Sequence, residues 1–194
     1  MNITKWQYYY QIKNLIPDAL YEPALSAFYA ARSFAYRGNK YHCPICEHDF
    51  EKFVGSSVNG SCPFCGGGSR HRLFHLYLKR KTNFYHDRLR VLHFAPEHCF
   101  VKNFRALSNL EYTSADLDSP RAMVVVDMTN IQYPDNSFDV VLSSHVLEHI
   151  PSELVAMKEL YRIMKPGGAG LYTRSQSITL LRPHMKMRLS IPRY

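Results

Sequence analysis

The sequence lacks any run of eighteen consecutive apolar residues, which excludes a membrane-spanning helix. Its first ten residues contain one lysine and a cluster of tyrosines, without the apolar stretch that a secretory signal requires. No internal repeat is present. Hydrophobic residues make up 46% of the 194 residues, so the chain can bury the core of one ordinary domain and a small appendage. We therefore expect a folded protein of the cytoplasm.

Cysteine is too scarce and too unevenly placed for a disulfide framework. Four of the five cysteines form two close pairs with fifteen residues between them, Cys43-Pro44-Ile45-Cys46 and Cys62-Pro63-Phe64-Cys65. Two residues between cysteines let both sulfurs of one tight turn face the same ion, and two such turns complete a tetrahedron of thiolates. We predict a structural Zn²⁺ ribbon, closed to catalytic water, with the ligands Cys43, Cys46, Cys62 and Cys65.

Other possible ligands lie near these pairs, but four cysteines already complete the coordination of zinc. We therefore expect the neighbouring histidines at the surface: His42, His48, His71 and His75. The fifth cysteine, Cys99, is expected to be a buried thiol.

Positive charge is in excess, with 24 Lys and Arg against 16 Asp and Glu, but it is unevenly distributed. Nine basic and four acidic residues lie in 38–90, six and ten in 91–173, and five and none in 174–194. A basic segment of this kind allows a nucleic-acid partner, although charge alone does not establish one. The side chains that would grip phosphates are Arg70, Arg72, Lys79, Arg80 and Lys81.

The aromatic-rich leader, residues 1–39, is predicted to be helical, because apolar residues recur at steps of three and four from Ala24 to Ala35. Gly38 and Asn39 are expected to end the helix. The helix could pack on the main domain. Alternatively, it could lie on a membrane surface, anchored by aromatic side chains: Tyr8, Tyr9, Tyr10, Phe28 and Tyr29.

From Leu89 onward the pattern alternates between strands and helices, which predicts a doubly wound parallel α/β sheet of about five strands. The expected strands are 90–95, 111–115, 123–126, 138–143 and 169–173, with helices at 101–107 and 153–164. Four segments follow: the leader 1–39, a ribbon with its following helix 40–82, the α/β domain 88–173, and an irregular basic tail 174–194.

Acidic residues follow the second and third predicted strands, at the edge where open α/β sheets bind ligands. Asp116 lies nineteen residues beyond Glu97 and can accept the hydroxyl protons of a ribose. Asp127 ends the third strand, where its carboxylate can bond the edge of an adenine and Met128 can pack on the ring. This ordered series predicts a nucleotide-containing ligand.

Successive motifs carry a resemblance to a known family. They are Val91-Leu92-His93-Phe94-Ala95-Pro96-Glu97, Ser114-Ala115-Asp116-Leu117, Asp127-Met128, Asp135-Asn136-Ser137-Phe138-Asp139-Val140-Val141, His145-Val146-Leu147-Glu148-His149-Ile150 and Lys165-Pro166-Gly167-Gly168. Together they resemble class I S-adenosylmethionine-dependent methyltransferases with a Rossmann-like sheet. More closely, the chain resembles a bacterial branch in which a helical leader and a zinc ribbon precede that domain.

This resemblance implies that S-adenosylmethionine lies across the strand ends and that its methyl group passes to an oxygen or nitrogen nucleophile. The implied cofactor-binding residues are His93, Ala95, Pro96, Glu97, Asp116, Leu117, Asp127, Met128 and His145. The candidates for a catalytic base are His145, His149 and Glu148. The acceptor stays open among a small molecule, a glycan, a lipid and RNA.

The chain departs from the family pattern in two places. His93 stands where the family has an acid, and Ala95-Pro96-Glu97 replaces the glycines of the first turn, so Glu97 is the candidate to bond the amino group of the cofactor. The last 21 residues lack acids and clear alternation, which suggests a truncated or altered C-terminus. Two alternatives to this function stay open. The chain could be a zinc-ribbon RNA-binding protein or RNA methyltransferase, or it could be an inactive, truncated remnant of a methyltransferase.

Overall fold

The computed structural model describes residues 17–57, 59–174, 177–182 and 185–190. The chain forms two compact units, the first ending at Arg72 and the second beginning at Leu73. Within the described ranges, no helix has both the length and the apolar character needed to cross a membrane.

The first unit contains helix α1 (Asp18–Phe34) and an antiparallel hairpin of β1 (Arg37–Cys43) and β2 (His48–Phe50). The leader is therefore helical over α1, but Gly38 does not end the helix as expected; it lies within β1. A Cβ atom at Gly38 would stand 2.6 Å from the backbone nitrogen of Glu51. This close approach of two backbones, rather than a helix stop, requires the glycine.

The remaining elements begin with helix α2 (Ser69–Lys81), which starts in the first unit. They continue as β3 (Leu89–Phe94), α3 (His98–Ala106), β4 (Leu110–Asp116), β5 (Val124–Val125), β6 (Phe138–Ser144), a 3-10 turn (Leu147–His149), α4 (Glu153–Ile163), β7 (Met164–Arg174), β8 (Ser177–Arg182) and β9 (Met185–Ser190). The sheet order is β5-β4-β3-β6-β7-β8-β9, and its first five strands are parallel. The predicted doubly wound parallel sheet is confirmed.

Strand β3 lies at the centre of the parallel part, between β4 and β6, with Leu92 paired to Thr113 on one side and to Val141 on the other. Its residues from Val91 to Phe94 are almost completely buried, as expected for a strand covered on both faces. Helix α4 covers one face through side chains spaced by four and three residues, Ala156, Leu160 and Ile163.

The opposite face of the sheet is covered by an aromatic cluster. Phe104 of α3 stacks on Phe100 at 5.2 Å between ring centroids and packs against Phe84 at 5.0 Å and Tyr112 at 5.9 Å. Phe104 itself is 1% exposed. Because each of these rings buries a large apolar area, this cluster is a main source of stability for the second unit.

The Phe-Asp and Lys-Pro-Gly-Gly motifs meet at the amino ends of the strands. Asp139 accepts a hydrogen bond from the backbone amide of Arg90 at 2.9 Å and pairs with Lys165 at 2.9 Å. A Cβ atom at Gly168 would stand 2.9 Å from the carbonyl oxygen of Asp139. These motif residues therefore join β3, β6 and β7 at the edge of the sheet opposite the predicted cofactor site.

The expectation of an irregular tail over 174–194 is wrong for the two segments there that the structure describes as strands, β8 and β9. Strands β8 and β9 form antiparallel pairs, β8 with β7 and β9 with β8. Pairing of this kind uses backbone groups, so it does not require the alternation of polar and apolar residues that the sequence lacks. The sheet thus continues two strands beyond the expected five.

Replacing Phe104 by alanine is expected to lower the free energy of unfolding by about 3–5 kcal/mol, because the cavity cannot be refilled by the surrounding rings. Urea denaturation followed by fluorescence measures this loss. Lys102→Ala, at an exposed position of the same helix, is the control and should change stability by less than about 0.5 kcal/mol. Equal stability of the two variants would contradict the packing described for this face.

Candidate functional site

The four paired cysteines converge in the first unit. Their Sγ atoms all lie within 4.8 Å of one another, with 3.8 Å between Cys43 and Cys65 and 3.6 Å between Cys46 and Cys62. Among the described residues this is the one group of three or more Cys, His, Asp or Glu side chains close enough to share an ion. Such spacing suits four ligands around one cation.

The cysteine sulfurs influence each other's ionisation. Hydrogen bonds from Cys46, Cys62 and Cys65 hold the pKa of the Cys43 thiol far below its ordinary value. The pKa of Cys65 is raised far above its ordinary value, because the same contacts favour its protonated form. Four thiolates at these distances would repel one another, and a bound divalent metal ion would compensate their charge.

Helix α1 packs on the second cysteine turn. Arg32 donates hydrogen bonds to the carbonyl oxygens of Cys62 at 3.0 Å and Pro63 at 3.1 Å. The ring of Tyr29 lies against Gly66, where a Cβ atom would be 2.6 Å from the tyrosine hydroxyl. Tyr29, one of the expected membrane anchors, is thus a packing residue of this unit. Phe28 is exposed, and the other expected anchors, Tyr8, Tyr9 and Tyr10, lie outside the described residues.

Two of the side chains that follow the cysteine pairs in the sequence differ from expectation. His75 is buried rather than at the surface, and its Nδ1 lies 2.9 Å from the hydroxyl of Tyr85. Arg72 is also buried, so it is not available to grip a phosphate. The other four basic residues of α2 that were expected to do so, Arg70, Lys79, Arg80 and Lys81, are exposed. Cys99 is buried, as expected.

A second site lies in the second unit, at the carboxyl ends of the parallel strands, where a cavity of about 380 Å³ opens. Five of the nine predicted cofactor-binding residues line it: Ala95, Asp116, Leu117, Asp127 and Met128. Sequence reasoning missed the other lining residues, which are Phe94, Val126, Thr129, Val146, Ile150, Pro151 and Ser152. What these residues have in common is their position, because each lies near the end of a strand or in the segment after β6.

The two aspartates of the cavity are both held by local hydrogen bonds. Oδ1 of Asp116 accepts the amides of Asp118 at 2.9 Å and Ser119 at 3.1 Å. Oδ1 of Asp127 accepts the amide and the hydroxyl of Thr129, both at 2.7 Å. These bonds, the amide of Thr129 first, lower the pKa of Asp127. Each carboxylate is therefore fixed in orientation while its second oxygen has no protein partner among the described residues.

The turn after β3 is built without glycine. Ala95 adopts a left-handed conformation with φ of +48°, and its amide donates to the carbonyl oxygen of Ala115 at 2.9 Å. A left-handed residue with a side chain costs energy, so such turns concentrate at functional sites. Glu97 occupies the N-cap of α3 without capping it through its side chain.

His93 is 1% exposed and connects this turn to β4. Its Nε2 lies 2.9 Å from the carboxylate of Glu97, and its Nδ1 lies 2.9 Å from the hydroxyl of Tyr112. Burial raises the pKa of Tyr112, so this hydroxyl stays protonated at neutral pH. The role of Tyr112 was not predicted. Neither His93 nor Glu97 lines the cavity itself, and neither does Pro96.

The candidates for a catalytic base lie just after β6. His145 has a left-handed backbone with φ of +57°, and its Nδ1 is 2.7 Å from a carboxylate oxygen of Glu148. The two side chains are 22% and 24% exposed. His149 lines the cavity, whereas His145 and Glu148 do not; His145 adjoins Val146, which does. The structure thus separates the three candidates into a hydrogen-bonded pair and a cavity residue.

Comparison with known proteins finds relatives of part of the second unit. Residues 89–171 match the profile of a family described as a methyltransferase domain. A demethylmenaquinone methyltransferase of Geobacillus sp. (strain WCH70) is 38% identical over 52 residues, which are 27% of this chain and 22% of that protein. The phosphoethanolamine N-methyltransferase 3 of Arabidopsis thaliana is 41% identical over 49 residues, 25% of this chain and 10% of that protein.

A structural relative is the arsenic(III) S-adenosylmethionine methyltransferase from Chlamydomonas reinhardtii. It has a TM-score of 0.38 and 19% identity, covering 44% of this chain and 38% of that one. The chain spans about a quarter or less of the length of the two curated relatives named above. The matched segment, residues 89–171, contains strands β3 to β6 and most of β7, so the parallel part of the sheet coincides with the segment that is similar to methyltransferase domains.

Proposed function

We propose that this protein is a cytoplasmic S-adenosylmethionine-dependent methyltransferase that acts on an oxygen or nitrogen nucleophile of a small-molecule or glycan-type acceptor. The observation that carries the proposal is the cavity at the carboxyl ends of the strands, with Asp116 and Asp127 fixed at two successive strand ends of a methyltransferase domain. Open α/β sheets bind nucleotide ligands at this edge.

The adenosine part of the cofactor is assigned to the lined cavity. Asp116 would accept the ribose hydroxyl protons through Oδ2, because its Oδ1 already receives two amides. Asp127 would accept from the amino group of adenine, and its lowered pKa keeps it a carboxylate at neutral pH. Met128 and Leu117 supply apolar surface for the base.

The methionine part of the cofactor is assigned to the turn from Ala95 to Glu97. A carboxylate there can bond an ammonium group, and Glu97 is held in place by the buried ring of His93. In the neutral imidazole, Nε2–H donates to Glu97 and Nδ1 accepts from the Tyr112 hydroxyl, so all three groups are satisfied without an extra charge.

S-adenosylmethionine supplies a methyl group that is already activated by the sulfonium. The chain must therefore align the nucleophile, exclude water and remove one proton. We assign the proton to Nε2 of His145, because Glu148 engages Nδ1 and thereby leaves Nε2 as the acceptor. Glu148 is then a positioning residue rather than the base.

We further propose that the four cysteines bind one Zn²⁺ with a structural role. The four sulfurs lie close enough to share one ion, and thiolates are ligands that zinc prefers. All four are cysteines, so no position stays open for a catalytic water. Reduced cysteines bound to metal also fit a reducing compartment such as the cytoplasm.

Cofactor binding is tested with Asp116→Ala. Calorimetry should show that the wild-type protein binds S-adenosylmethionine and that the variant loses at least about tenfold in affinity, since a ribose hydroxyl pair loses a charged acceptor. Asp118→Ala, at an exposed neighbouring position, is the control and should bind as the wild type does. Absence of binding by the folded wild-type protein would refute the proposed function.

The base is tested by following S-adenosylhomocysteine formation with a panel of hydroxyl and amine acceptors. His145→Ala should lower kcat about 10²–10⁴-fold while leaving the affinity for S-adenosylmethionine within about twofold. Glu148→Gln should give a smaller loss and shift the pH profile, because the ring loses its charged partner. If His149→Ala shows the larger loss and His145→Ala none, the assignment of the base is wrong.

Metal binding is tested by elemental analysis of the purified protein, which should contain one zinc per chain. Cys62→Ser should lose the metal, and removal of zinc by a chelator should lower the helical circular dichroism, because α1 is anchored on the second cysteine turn. Cys99→Ser is the matched control and should keep its zinc. A wild-type protein that remains metal-free after refolding with excess Zn²⁺ would contradict the site.

A further inference from the structure

Arg72 is a buried cation in the first unit, close to the four cysteines. The residue is only 8% exposed, and its guanidinium lies over the ring of Phe53, 4.1 Å from the centroid. Arginine rarely occupies such a position unless it is paired, because moving its charge out of water is costly. Its neighbours therefore have to compensate that cost.

The first compensation is a pair of hydrogen bonds to the backbone that carries the second cysteine turn. Nη1 of Arg72 donates to the carbonyl oxygens of Gly60 and Gly67, both at 3.0 Å. These two residues flank Cys62 and Cys65, and the carbonyl of Gly67 also accepts the amide of Cys62 at 2.9 Å. A single nitrogen thus ties together both ends of the segment that supplies two of the four ligands.

The backbone at Gly60 is closely packed and leaves no room for a side chain. A Cβ atom there would stand 2.3 Å from the carbonyl oxygen of Val54 and 2.4 Å from that of Ser56. Val54 and Ser61 pair through two backbone hydrogen bonds of 2.9 and 3.0 Å. The carbonyl that Arg72 binds is therefore held by a tightly packed loop, and the guanidinium meets a rigid acceptor.

The second compensation is electrostatic. The guanidinium is hydrogen-bonded to the segment that carries Cys62 and Cys65, so it lies close to the charge that a metal-bound cysteine cluster would carry. Four thiolates around one divalent ion have a net charge of −2, which is itself costly in a buried site. A guanidinium beside this group offsets half of that charge, while the thiolates offset the charge of the guanidinium.

We propose that Arg72 is the positioning residue and counter-cation of the four-cysteine metal site: it sets the spacing of the Cys62–Cys65 turn through two carbonyls and balances the charge of the metal–thiolate group. This inference rests on the proposed zinc site. It assigns a role in metal binding to a residue that, as part of a basic segment, had been expected to bind phosphate. Partners beyond the first ligands commonly change metal affinity in this way.

The test is the zinc affinity of the full-length protein, measured by competition with a chromophoric chelator. Arg72→Met keeps the apolar contact with Phe53 but removes the charge and both hydrogen bonds, and we expect zinc to bind about 10–100-fold more weakly. Arg72→Lys keeps the charge without the two-carbonyl geometry and should fall between the wild type and Arg72→Met. Arg70→Met removes the same charge from an exposed position on the same helix and should bind zinc as the wild type does.

The outcomes separate the two proposals. A wild-type protein that binds no zinc refutes the metal site itself. If the wild type binds zinc and Arg72→Met binds it equally well, the role of Arg72 is refuted and the metal site stands. If Arg72→Met does not fold even with zinc in excess, Arg72→Lys is compared with Arg70→Lys; the proposal then requires weaker zinc binding by Arg72→Lys, and equal binding overturns it.

Discussion

The parallel pairing of β3 with β4 on one side and β6 on the other is the constraint on which the proposed cofactor site depends. Because these strands run in the same direction, the residues that follow them, Ala95, Leu117 and His145, reach the same edge of the sheet. The register cannot slip, since β3 is buried on both faces and a shift of one residue would exchange His93 with its apolar neighbours. Opposite this edge, Asp139 holds β3 and β7 at their starts, so the register is fixed at both ends.

A second consequence concerns the turn that follows β3. The methyltransferase pattern uses glycines there, and this chain reaches a left-handed conformation at Ala95 instead. Such a conformation persists only where its surroundings hold it. Here the Ala95 amide is bonded to β4, and Glu97, two residues later, is bonded to the buried ring of His93. The two departures from the family pattern, a histidine in place of the acid and the loss of the glycines, are therefore linked. A hydrogen bond between side chains holds the turn where the family relies on the conformational freedom of glycine.

The sequence predicted what depends on local pattern and on spacing. The alternation of strands and helices predicted the five parallel strands, and the Cys-x-x-Cys spacing predicted the sulfur cluster. Strands β8 and β9 escaped prediction because the pairing of β8 with β7 and of β9 with β8 depends on a free strand edge, which no local pattern reveals. His75 was expected at the surface because a histidine one helical turn after His71 shows nothing of its partner Tyr85, which lies ten residues further on. The two wrong predictions, for β8 with β9 and for His75, share one cause: the structure there depends on contacts between residues apart in the sequence rather than on local propensities.

The burial of Arg72 changes what its positive charge indicates about a binding partner. Counted along the chain, it adds to the basic excess of residues 38–90 and supports a nucleic-acid partner. In the structure it is buried and hydrogen-bonded to the segment that carries Cys62 and Cys65, so its charge is not exposed to a partner in solution. A tetrathiolate zinc site would remove two further positive charges from the apparent total, because it carries a net charge of −2. Of the residues expected to grip phosphates, the four that are exposed, Arg70, Lys79, Arg80 and Lys81, all lie on α2, and the last three occupy its final turn, where cations are stabilised by the helix dipole. Burial of Arg72 and the proposed metal site therefore weaken the argument from charge for RNA as the methyl acceptor.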